Sequence, residues 1–87
     1  MAEKKITISV NKEDIVFNVT SDNFNRFVNE TAPDDKILPA KRFLRRSLVD
    51  KKQMEQLEGI CDHGHSLTLA AKLVEDFQGE VEIEVKK

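Results

Sequence analysis

The stretch Lys5–Val19, KITISVNKEDIVFNV, decides the fold. Ile6, Ile8 and Val10 alternate with Lys5, Thr7 and Ser9, and Ile15, Phe17 and Val19 alternate with Val16 and Asn18. That period of two belongs to a strand with one buried face. The polar connector Asn11–Glu13 has hairpin length, so the two runs pair antiparallel. A two-stranded sheet alone is marginal in water, so its apolar face needs cover from the rest of the chain.

Downstream the period changes. Thr20, Ser21 and Asp22 can accept hydrogen bonds from the free amides of a first helical turn, and Phe24, Phe27 and Val28 follow at helical spacing. Pro33 stops that helix, because a proline pushes the residue before it out of helical geometry, and Pro39 begins the next. From Pro39 to Val49 a stripe of Ala40, Phe43, Leu44, Ser47 and Leu48 opposes Lys41, Arg42, Arg45 and Arg46. Asp50 caps a third helix in which Met54, Leu57 and Cys61 share a face with Ile60 beside it, and Ser66 caps a fourth that ends at Gly79.

On that last helix Leu67, Leu69, Ala70, Ala71, Leu73, Val74 and Phe77 spread over roughly 200°, about twice the stripe of a one-sided surface helix. A sheet on one side leaves Leu69 and Leu73 on an uncovered flank, where they can serve self-association or hold a partner helix. The segment 80–86 alternates again, with Val81, Ile83 and Val85 opposite three glutamates, and is expected to join the hairpin as a third strand. The expectation is therefore an α+β fold in one domain, 1–87. It comprises an antiparallel hairpin at 5–19, a region of about four short helices at 21–78 and a C-terminal strand at 80–86.

Composition narrows the function class. With 39% hydrophobic and 34% charged residues, grouped and periodic, the 87-residue chain supports one modest core rather than a disordered tail. No apolar run approaches the roughly 18 residues of a membrane span, and the alternating start MAEKKITISV is not a signal peptide, so the expected location is the cytoplasm. One cysteine makes no internal disulfide, and a net charge of −2 gives no global attraction to nucleic acid.

Two clusters invite a functional reading. Cys61, Asp62, His63 and His65 supply metal-ligand types, but they crowd into one turn, whereas zinc sites draw paired ligands from separated segments. Cys61 is read instead as a small core residue and Gly64 as the pivot of a helix-to-helix turn, with no metal, cofactor or catalytic residue assigned. The basic run Lys41, Arg42, Arg45 and Arg46, flanked by Lys36, Lys51 and Lys52, could line a phosphate backbone. A solvated helix face is the plainer reading and a protein-docking face the next; nucleic acid ranks third, because acidic residues interleave and no base-reading motif is present.

Taken together, KKITISVNKEDIVFNVT, the helix with FNRFVNE, the run APDDKILPAKRFLRRSLVD and the leucine-rich helix ending in EVEIEVKK resemble the small tail assembly chaperones of tailed phages and prophages. The likeness covers nearly the whole chain and includes the start Pro39, Ala40, Phe43, Leu44. It implies a non-enzymatic bacterial-cytoplasmic protein that binds the tape measure protein, keeps that long helical chain soluble and yields it as tail tube subunits polymerise. It carries over no active-site residues and no cofactor. On this reading Leu69, Leu73, Lys41, Arg42, Arg45 and Arg46 are the candidate partner-binding residues, with a homo-oligomer possible. The alternative is a small nucleic-acid-binding regulator using helix 39–49.

Overall fold

The computed structural model describes residues 2–79 and 83–86. Strand β1, Glu3–Val10, pairs antiparallel with β2, Glu13–Thr20, with Ile6 opposite Phe17 and Ile8 opposite Ile15. Asn11 and Lys12 form the two-residue turn with φ of 52° and 69°. Two positive φ values make the turn whose twist matches that of the strands, a conformation asparagine tolerates and lysine does not favour.

Helix α1, Ser21–Glu30, follows directly; Thr20 caps it, its hydroxyl accepting from Asn23 N at 3.1 Å. Helix α2, Ile37–Ser47, starts two residues before Pro39. Proline is accommodated in this first turn because the missing N–H would have no intrahelical acceptor there. Asp50 caps a short 3-10 turn, Lys51–Gln53, accepting from Lys52 N at 3.0 Å, and α3 spans Met54–Asp62. Helix α4, Ser66–Gln78, is flanked by His65, so Ser66 is its first residue and not its cap; the serine is buried. Gly79, with φ of 67°, ends α4 as expected.

All four helices lie against the chain's apolar interior, and α2 is its hub, packing on β2 and on α1, α3 and α4. Ile6, Ile15, Phe17 and Val19 meet Ala40, Phe43, Leu44, Leu57, Cys61, Leu69, Ala70 and Leu73 in one cluster. Phe27 stacks on Phe43 with ring centroids 4.8 Å apart, and Phe24 tilts against Phe77, which ties α1 to both α2 and α4. Helix α4 runs antiparallel to β1: Lys4 Nζ donates to Asp76 O at 2.8 Å, while His65 and Ile60 stand beside Val10 and Asn11.

Two expectations change here. Among the described residues the sheet has two strands. Of the segment expected as a third, 80–82 lie outside the described residues, and 83–86 have no strand pairing, leaving Ile83 87% and Val85 86% exposed. The uncovered flank expected on α4 does not exist either, since Leu69 and Leu73 are 5% and 0% exposed. With β1 on one side and α2 on the other, a wide apolar arc is covered from two directions. Among the described residues, no helix is long and apolar enough to cross a membrane.

Candidate functional site

The three arginines among the four cations of α2 are committed to ion pairs. Arg46 donates to Glu30 at 3.0 Å and Arg42 reaches the same carboxylate at 3.4 Å, joining α2 to α1. Arg45 makes a two-pronged contact with Glu58, at 2.6 and 2.9 Å, joining α2 to α3. The hydrogen bond from Arg46, reinforced by the charges of Arg46, Arg42 and Arg26, holds the Glu30 carboxyl below the ordinary glutamate value. The Arg45 hydrogen bond lowers Glu58 in the same way and raises Arg45 in return. Lys41 alone of the four has no such partner among the described residues. A phosphate backbone approaching this face would have to compete with two carboxylates already seated there.

The CDHGH segment is the end of α3 and the turn that follows it. Cys61 points into the core, where burial pushes its thiol up and keeps it protonated, the inert form. Gly64, at φ of 87°, lets its N–H return to Cys61 O at 3.0 Å, and His65 N returns to Ile60 O at 3.3 Å. These bonds satisfy carbonyls at the end of α3. The ring of His63 lies against Gly59 O at 2.9 Å, another carbonyl of the same helix end. Among the described residues, no group of three His, Cys, Asp or Glu side chains is placed to hold a metal ion.

A concave feature lies elsewhere, between β1 and α4. A groove of about 560 Å³ has Ile6, Ile8, Val10, Ile60 and Leu69 as its apolar lining, with His65, Thr68, Lys72 and Asp76 along the helical rim. Ile8, Val10 and Ile60 are only half-buried. Leu69 therefore forms part of the groove's floor, whereas Leu73 is wholly interior.

The strand side of the groove is an open sheet edge. Ser21 N donates to Ala2 O, and Val16, which stands opposite Thr7, turns its carbonyl away from β1 to accept from Val49 N. In an antiparallel ladder these facts fix the phase: the even-numbered residues of β1 bond to β2, and Lys5, Thr7 and Ser9 aim their N–H and C=O outward. Among the described residues none of these three has a backbone partner beyond the hairpin. Leu48 and Val49 cover the corresponding edge of β2 around Val16 and Phe17.

Sequence reasoning placed Ile6, Ile8 and Val10 on an apolar face and Ile60 beside the α3 stripe without joining them into a groove. No curated protein and no solved structure gives a significant match to the chain. A family model described as phage tail assembly chaperone matches residues 6–87, nearly the full length, taking in β1 from Ile6 onward, β2 and helices α1 to α4. The chain therefore belongs to the phage tail assembly chaperone family.

Proposed function

We propose that this chaperone acts in the host cytoplasm by holding apolar stretches of the tape measure protein in the groove between β1 and α4. It releases them as tail tube subunits assemble. The observation that carries this reading is an apolar groove beside an open strand edge in a chain of a tail assembly chaperone family. Such a site offers two recognition modes at once, side-chain burial on Ile8, Val10 and Ile60 and main-chain hydrogen bonds to Thr7 and Ser9. A helical chain with exposed apolar positions gains solubility from the first mode, and any segment that becomes extended gains register from the second. Binding and release require no bond to be made or broken, so no enzymatic step belongs to the proposal.

The polar rim sets orientation, and the basic helix acts through its fold-stabilising pairs with Glu30 and Glu58 more than as an adhesive surface. The test is co-expression with a tape measure fragment, followed by affinity capture and light scattering. Wild type should keep the fragment soluble. Ile8→Lys and Ile60→Lys, each checked for native circular dichroism, should lose capture. Capture unchanged in both folded variants overturns the groove. Binding to duplex DNA that weakens steeply with salt would favour the regulator using helix 39–49 instead.

A further inference from the structure

We propose that in the free protein the groove is filled by the C-terminal segment of a second copy, so that two chains exchange Ile83–Lys86 and each adds a strand to the other's β1. This goes beyond the proposed chaperone function and does not depend on which tail protein the groove receives.

Three observations converge. First, the outward N–H and C=O groups of Lys5, Thr7 and Ser9 form an edge without a backbone partner among the described residues, and such an edge is a template for strand addition. Second, Ile83 and Val85 are the most exposed large apolar residues of the described chain, at 87% and 86% against 54% for Val28. They also carry the alternation of a half-buried strand, with charged Glu84 and Lys86 on the other face. Third, edge and segment match in length and chemistry. Four extended residues span about 13 Å, close to the Lys5–Ser9 edge at about 3.3 Å per residue. Laid beside β1, Ile83 and Val85 fall on the face of Ile6, Ile8 and Val10 and enter the groove beside Ile60 and Leu69. Glu84 then falls on the solvent face, which β1 lines with Lys5, Thr7 and Ser9.

The occupant is a second copy because Ile83–Lys86 stand clear of their own domain, with both apolar side chains in solvent. Reciprocal exchange is two-fold symmetric and closes at two chains. The alternation of Ile83–Lys86 is thus satisfied between molecules, which accounts for the lack of strand pairing at 83–86 among the described residues.

The test is sedimentation equilibrium of the full chain across about a hundredfold dilution series. Wild type should show a mass of two chains at high concentration, falling toward one on dilution. The double variant Ile83→Glu/Val85→Glu, altered only in an exposed segment, should stay folded and self-associate at least about tenfold more weakly. Thr7→Pro removes an outward N–H without touching the β1–β2 ladder and should have the same effect. Mixing the two variants should restore a dimer with one exchanged segment, because each supplies what the other lacks. A wild type that is monomeric throughout overturns the proposal. So does a double variant whose mass profile equals wild type, or concentration-independent hydrogen-exchange protection of the Thr7 and Ser9 amides, which would place the segment on its own edge. Should Thr7→Pro fail to fold, the double variant decides alone.

Discussion

Phe43→Ala tests the assignment of faces on α2 and with it the position of the core. Phe43 is fully buried at the hub of the fold and stacks on Phe27 at 4.8 Å and 12°. Truncation removes the ring, opens a cavity between α1 and α2 and ends the stacking, which for a buried phenylalanine costs about 3–5 kcal/mol. A chain of 87 residues has a total stability of about 4–13 kcal/mol at 0.05–0.15 kcal/mol per residue, so the variant sits near the limit of folding. Urea denaturation followed by circular dichroism should show the midpoint falling by at least about 1 M, given slopes of about 1–3 kcal/mol per molar. The control is Arg45→Gln on the opposite face. Its contact with Glu58 has ideal geometry, but the side chains are 44% and 36% exposed, so its loss costs about 0.2–1 kcal/mol. Equal midpoints for the two variants, or the reverse ranking, would refute the face assignment and the hub role of α2.

Other outcomes follow from individual contacts. Glu30 and Glu58 both titrate below their ordinary value of 4.5 when folded, so their pairs contribute fully above that pH and are lost as pH falls through the lower folded values. Acid unfolding monitored from pH 6 to about 2 should therefore be shallower in Glu30→Gln/Glu58→Gln than in wild type, and parallel curves would show that these pairs carry no pH dependence. Lys12 at φ of 69° carries a left-handed penalty of about 1–2 kcal/mol that glycine avoids. Part of that gain is offset by unfolded-state entropy, so Lys12→Gly should raise Tm by a few degrees, and a lowered Tm would contradict the turn geometry. Ser47 is 1% exposed and its hydroxyl has no hydrogen-bond partner among the described residues, so Ser47→Ala should be neutral or stabilising, whereas a buried serine that was well bonded would lose stability in the same melt.

The hairpin was legible because its alternation is strict and its turn short, and α2 because one stripe of four apolar positions and a serine faces four cations. Leu69 and Leu73 were misplaced for a definite reason. Periodicity tells which residues share an arc of a helix but not how many neighbours arrive to cover it, and here β1 and α2 both do. The basic face was visible as charge, yet its partners, Glu30 and Glu58, lie 12 to 16 residues away on other helices. Only packing brings them across. The start of α2 at Ile37 was hidden because a proline in the first turn looks the same whether it begins the helix or sits slightly inside it. The groove escaped notice since it belongs to no single element: it exists where the β1 edge, Ile60 and α4 meet.

The contact between Lys4 and Asp76 spans 72 positions of sequence. During translation at about 5–20 residues per second, roughly 4–14 s pass between the synthesis of β1 and that of the helix that covers it. The hairpin can pair early, being local, but its apolar face stays open until α4 is made, so the final closure of this domain is timed by the ribosome and not by the intrinsic speed of helix formation.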